Sequence, residues 1–118
     1  MRIFFDVDDT VMFQDKPSDY QICKPIVGMK NYVNAMFDDG HEIYFYTARG
    51  MGRYNNDADL AIGHFYDLTW KQLTEFGFKF HGLILGKPNY DVLVDDKAYN
   101  PDCPTCKRNL NHKVLNYG

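Results

Sequence analysis

The chain has 118 residues, 45% of them hydrophobic and 16% aromatic, enough to pack one domain around a single core. A formal net charge of -3 provides no diffuse basic field, which argues against nonspecific attraction to a nucleic-acid backbone. No stretch approaches the roughly 20 apolar residues that span a bilayer, and Met1-Arg2-Ile3-Phe4-Phe5 runs straight into Asp6-Val7-Asp8-Asp9 without the shape of a signal peptide.

In chain order, Ile3 to Val7 is a short apolar run ending in carboxylates, the pattern of a buried strand whose carboxyl end opens into a site. From Asp8 to Pro25 the composition is polar and includes Pro17 and Pro25, so a loop or small flap is expected. Val27, Tyr32, Val33, Met36 and Phe37 fall near helical spacing and predict a helix from about Val27 to Asp38, with Gly40 as its terminator. Glu42 to Tyr46 predicts a second strand. A Gly-rich turn from Thr47 to Arg53 leads to a longer helix with Asp57 as its cap, an apolar face of Ala58, Ala61, Phe65, Leu68, Leu73 and Phe76, and Gly77 at its end. Leu83-Ile84-Leu85 and Val92-Leu93-Val94 are too short for helices and predict two more strands. Strands alternating with helices imply a parallel sheet in an α/β domain over residues 1–100. The polar stretch 101–118, with Pro101 and Pro104, reads as a C-terminal tail that docks on the domain or trails from it.

Three cysteines, Cys23, Cys103 and Cys106, form an odd and sparse set that suits a reducing compartment, so a cytoplasmic protein is expected. Cys103-Pro104-Thr105-Cys106 offers one pair of ligands where a structural zinc site needs four, and His112 adds only a third, so ordinary thiols are the simpler reading. His41, His64 and His81 share no ligand spacing and read as structural residues. The nine Phe, nine Tyr and one Trp read mostly as core.

The chemistry-bearing residues collect at the predicted strand ends: Asp6 after the first strand, Thr47 after the second, Lys87 just beyond Leu83-Ile84-Leu85, and Asp95-Asp96 after Val92-Leu93-Val94. In an open parallel sheet the ligand crevice lies outside the carboxyl ends of the strands, where these distant positions would converge. Carboxylates crowded there repel and raise one another's pKa unless a cation neutralises them, and an all-oxygen donor set suits magnesium. Lys87 and the Thr47 hydroxyl supply the complementary cation and donor for phosphoryl oxygens. Singly, each signal is weak, since an Asp-rich turn is more often a solvated loop or cap and a lone lysine is most often on the surface.

Taken in order, Asp6-Val7-Asp8-Asp9-Thr10, Thr47, Lys87 and Asp95-Asp96 resemble the four signature motifs of the haloacid dehalogenase-like (HAD) phosphatases. Tyr46-Thr47-Ala48-Arg49 with Tyr54-Asn55-Asn56, and Gly86-Lys87-Pro88 before Val94-Asp95-Asp96-Lys97-Ala98, are similar to a capless subgroup associated with capsule and polysaccharide biosynthesis. The resemblance implies a single Rossmann-like, three-layer domain with a parallel sheet and no large cap. It implies Asp6 as nucleophile and Asp8 as general acid and base. Magnesium would be held by the Asp6 carboxylate, the Asp8 backbone carbonyl and Asp95, with Asp96 in the outer shell. Thr47, Ala48 and Lys87 would bind the phosphoryl group, and Thr10 would brace the turn. Many relatives carry glycine where this chain has Asp9. The acid at position 8 favours phosphatase or phosphomutase chemistry over the related ion pumps, which carry threonine there.

The expected activity is therefore magnesium-dependent hydrolysis of a phosphomonoester through an aspartyl-phosphate, on a small metabolite such as a sugar phosphate. Without a cap, specificity must come from the loop Gln14 to Lys24, from the turn carrying Arg49 and Arg53, or from a second subunit, which makes a homo-oligomer plausible. Arg49 and Arg53 are candidate substrate-binding residues, weighed against surface ion pairs. One alternative is a polynucleotide 3'-end phosphatase, with Lys24, Lys30, Arg49 and Arg53 tracking a backbone, although the acidic balance disfavours nucleic acid. Another is a receiver-like or noncatalytic phosphate-binding module, but a receiver's acceptor Asp comes from a middle strand and its lysine comes last.

Overall fold

The computed structural model describes residues 1–14, 16 and 19–100. Residues Arg2–Asn89 form one compact unit. Its elements are β1 (Arg2–Phe5), β2 (Met12–Gln14), β3 (Cys23–Pro25), α1 (Val27–Asp38), β4 (Glu42–Thr47), α2 (Ala58–Glu75) and β5 (Gly82–Leu85). The second unit comprises Met1 and the chain from Tyr90.

The unit is an α/β fold on a three-stranded parallel sheet in the order β1-β4-β5. Phe5 pairs with Phe45, and Phe45 with Leu83, so the register lines up one apolar row across all three strands. Phe5, Ile43, Phe45, Leu83 and Leu85 are buried, as the period-two alternation of a strand requires. The opposite face carries Phe4, Tyr44, Tyr46 and Ile84, of which Phe4 and Ile84 are exposed. The aromatic residues are thus divided between core and surface, and Trp70 is also exposed.

Both helices close over the same core. Val33 of α1 and Phe65 and Leu73 of α2 join Phe5 and Phe45 in one buried cluster. Phe5 meets Tyr32 edge-on, and Phe45 meets Phe78 and Phe80 in the same way. With Phe45 fully buried, its truncation to alanine would cost about 3–5 kcal/mol. Helix α2 begins where Asp57 accepts a hydrogen bond from the Leu60 N–H at 3.2 Å, and ends where the Phe78 N–H reaches back to the Leu73 carbonyl around Gly77 at φ 83°.

Among the described residues, the link from β1 to α1 holds the antiparallel pair β2-β3, in which Phe13 pairs with Lys24. Within the stretch from Asp8 to Pro25, where a loop or small flap is expected, Met12–Gln14 and Cys23–Pro25 thus pair as strands. Val92-Leu93-Val94 forms no strand: its residues are 77%, 50% and 93% exposed. A short apolar run becomes a strand only where a neighbour takes up its backbone N–H and C=O groups, and hydropathy alone cannot supply that neighbour. Among the described residues no helix is long and apolar enough to cross a membrane. Cys103, Cys106 and His112 lie outside the described residues.

Candidate functional site

The carboxyl ends of β1 and β4 open into a cleft of about 680 Å³ lined by Asp6, Asp8, Asp9, Gln14, Tyr20, Thr47, Ala48, Arg49, Gly52, Arg53 and Asn89. The turn after β1 builds its floor. The Val7 carbonyl accepts from the N–H groups of Thr10, Val11 and Met12, which curls the chain immediately after Asp6 and sends Asp6 and Asp8 to different surroundings. Asp9 closes that turn at φ 61°, in the left-handed region, and its N–H reaches the Met12 carbonyl at 2.7 Å. Aspartate tolerates this conformation better than most side chains do, and glycine better still. That is the physical reason the position suits either residue.

Asp6 is partly open, its side chain 38% exposed. Its Oδ1 lies 3.7 Å from Lys87 Nζ, and its Oδ2 accepts from the Thr10 hydroxyl at 3.4 Å. Burial pushes its carboxyl above the usual carboxylate value, against the opposing pull of Lys87, the Val7 N–H and Thr10. Lys87 is carried to this position by the end of β5: Gly86 turns at φ 91°, and the Lys87 N–H donates to the Thr47 carbonyl at 3.2 Å. Its ammonium also lies 5.8 Å from the centroid of the Tyr46 ring. Thr47 is buried, and its hydroxyl oxygen accepts from the Arg49 N–H at 3.2 Å, which leaves the O–H to donate.

Asp8 sits in a different environment. Arg49 Nε and Nη2 donate to its Oδ1 at 3.2 and 2.9 Å, Nε also reaches Oδ2 at 2.9 Å, and Gln14 Nε2 donates to Oδ1 at 2.7 Å. Arg49 is fully buried at its side chain while Asp8 keeps 21% exposure. Beyond the carboxylate, Arg49 Nη1 donates to Thr69 Oγ1 at 3.1 Å and to Gln72 Oε1, and Nη2 approaches Met12 Sδ and Cys23 Sγ. Gln72 in turn donates to the Tyr20 carbonyl. Burial raises the Cys23 thiol pKa, with Arg49 opposing. Arg49 therefore sits behind Asp8 in the interior, where the sequence pattern suggested a cation on a crevice loop. Arg53 is the arginine on the cleft surface, its guanidinium 5.9 Å from the Tyr20 ring centroid and 5.2 Å from that of Phe65.

The structure thus gathers Asp6, Asp8, Thr10, Thr47, Ala48, Arg49, Arg53 and Lys87 in one unit at the carboxyl ends of β1, β4 and β5. Asp95 and Asp96 belong to the second unit, where both are exposed and the Lys97 N–H donates to Asp95 Oδ1 at 2.8 Å. Among the described residues no group of three or more His, Cys, Asp or Glu side chains is assembled around a common point. The donor that the compact unit offers a cation is Asp6, a partly buried carboxylate only partly neutralised by Lys87. That is a hard oxygen ligand in need of positive charge, and it fits magnesium. The Asp8 carboxylate is already committed to Arg49 and Gln14, which leaves its backbone carbonyl as the donor it could offer.

Gln14, Tyr20, Thr69, Gln72 and Asn89 were not singled out by motif. Thr69 and Gln72 left a trace in the sequence: they interrupt the apolar stripe Ala61, Phe65, Leu73 of α2, and a polar residue on a core face requires a buried partner. Gln14 and Asn89 left none. Asn89 closes the rim by donating its backbone N–H to Asn56 Oδ1 at 3.0 Å.

No family model matches the chain, and no curated protein matches it. A crystal structure of a structural-genomics target from Vibrio cholerae shares the fold with a TM-score of 0.81 at 24% identity, covering 98% of this chain and 95% of that one.

Proposed function

We propose that this chain is a magnesium-dependent phosphomonoesterase of the haloacid dehalogenase-like type, Rossmann-like and capless, acting through an aspartyl-phosphate on a small phosphorylated metabolite such as a sugar phosphate. One observation carries the reading: two aspartates two residues apart share a cleft at the strand ends in opposite states. Asp6 is half-open beside Lys87, and Asp8 is clamped by Arg49 and Gln14. A nucleophile needs access and a nearby cation to receive an anionic ester; an acid and base needs orientation.

In the first step an Asp6 carboxylate oxygen forms a bond to phosphorus as the bond to the ester oxygen breaks. The departing electron pair stays on that oxygen, which takes a proton from Asp8. In the second step Asp8 takes a proton from water as the water oxygen bonds to phosphorus, releasing inorganic phosphate and restoring the Asp6 carboxylate. Lys87 neutralises Asp6 and the incoming phosphoryl oxygens together, and the Thr47 hydroxyl donates to one of them. Asp6 and the Asp8 backbone carbonyl would hold the magnesium ion, which would offset phosphoryl charge when bound. Arg53 and Tyr20 line the same cleft and would meet the leaving portion of the substrate.

The test is phosphate release from sugar phosphates, nucleotides and 3'-phosphorylated oligonucleotides, each with magnesium and with chelator. Magnesium-dependent release from a sugar phosphate supports the reading. Preference for the oligonucleotide would transfer it to end-processing, and silence across the panel would overturn it.

A further inference from the structure

The arginine two residues beyond Thr47 is explained neither by substrate binding nor by a surface ion pair. Its side chain is fully buried, and it faces one carboxylate, that of Asp8, which lines the cleft and keeps 21% exposure. A charge taken out of water adds little net stability compared with a well-packed apolar side chain, so stability alone is a weak account of its presence. The geometry is directional. Asp8 Oδ1 accepts from Gln14 Nε2 at 2.7 Å and from Arg49 Nη2 at 2.9 Å and Nε at 3.2 Å, which saturates it, whereas Oδ2 accepts only from Nε at 2.9 Å. The fork itself cannot turn. Thr69 and Gln72 of α2 hold Nη1, and Thr69 Oγ1 is oriented by its own donation to the Phe65 carbonyl at 2.7 Å.

We propose that Arg49 is the positioning residue for proton transfer: anchored on α2, it locks the Asp8 carboxylate so that Oδ2 is the oxygen presented to the leaving group. The inference rests on the reading of Asp8 as acid and base. It adds which of the two oxygens acts and which residues, Arg49, Thr69 and Gln14, decide that. Arg49 thereby touches no substrate. A lysine in its place would supply the charge as a point, without the planar fork that stops rotation of the carboxylate.

The experiment compares Arg49→Lys, Arg49→Met and Thr69→Val with the parent chain on two phosphomonoesters. One is p-nitrophenyl phosphate, whose leaving group departs without a proton; the other is glycerol phosphate, whose alkoxide needs one. Loss of orientation predicts that kcat/KM falls roughly tenfold or more further on the alkyl ester than on the aryl ester, with Arg49→Lys milder than Arg49→Met and Thr69→Val milder again. Equal losses on both esters would overturn the proposal, because a merely structural role does not distinguish leaving groups. Thr69→Val keeps the charge pair intact and serves where the Arg49 variants fail to fold. A crystal structure of Arg49→Lys or Thr69→Val reads the same point without turnover. An Asp8 carboxylate rotated off its present orientation supports the positioning role, and one left in place overturns it. If the parent chain cleaves neither ester, the proposed activity fails while this structural arm still judges the clamp.

Discussion

Two carboxylates separated by a single valine have been given opposite surroundings by the turn between them. On the Asp6 side Lys87 lies 3.7 Å away, delivered by β5, and burial keeps that carboxyl above its usual pKa. On the Asp8 side a buried guanidinium and an amide grip both oxygens, and the guanidinium is tied to α2. The contrast teaches how a short loop divides labour. A group left under-neutralised retains a demand for positive charge that an incoming cation and phosphoryl group can meet, while a group already satisfied gives up freedom and gains direction.

The largest effect should come from breaking the half-open side. Asp6→Asn removes the attacking oxygen and is expected to lower kcat by roughly a thousandfold or more, with the circular dichroism spectrum unchanged. Asp8→Asn should also cripple turnover, by about 10²–10⁴-fold on an alkyl ester and by less on an aryl ester. If the two variants lost activity equally on both esters, the division of roles between the two aspartates would collapse.

A smaller effect sharpens the comparison through pH. Lys87 is the main group pulling the Asp6 carboxyl back down, so Lys87→Met should raise that carboxyl further. The nucleophile must be ionised, and the acidic limb of the kcat/KM profile should therefore move to higher pH, together with a fall in the plateau of about 10–100-fold from lost phosphoryl neutralisation. An unmoved acidic limb would mean that Lys87 serves the phosphate alone.

Much of this arrangement is visible in the sequence because it rests on local pattern. Helix α1 spans the predicted Val27 to Asp38, and Asp57 caps α2, since apolar spacing, a capping carboxylate and a following glycine act over a few residues. Asp6, Thr47 and Lys87 are legible for a related reason: each ends a short apolar strand, and parallel strands bring their carboxyl ends together. The interior role of Arg49 is not legible. Its burial depends on Thr69 and Gln72, 20 and 23 residues further on, presenting acceptors from a helix face otherwise given to packing. Nor is the loss of the strand at 92–94, because a hydropathy run does not reveal whether a partner strand stands beside it.

The smallest effect concerns stability, and its sign follows from the same raised carboxyl. Asp6 binds its proton more tightly folded than unfolded, so its contribution to stability is fully present below the unfolded carboxylate pKa and is lost as pH rises through the folded value. At neutral pH, with chelator present, the ionised group opposes folding, because burial outweighs the attraction of Lys87. Asn at position 6 carries no charge at any pH. Asp6→Asn should accordingly melt at a higher temperature than the parent chain at pH 7, and the difference should close as pH falls below the ordinary carboxylate range, where Asp6 is also neutral. Magnesium should narrow the gap at pH 7 by stabilising only the parent chain. A variant that melts lower than the parent at pH 7 in chelator would show that the Lys87 pair outweighs desolvation. The open side of the cleft would then be as well satisfied as the Asp8 side, and the contrast between the two carboxylates would rest on access alone.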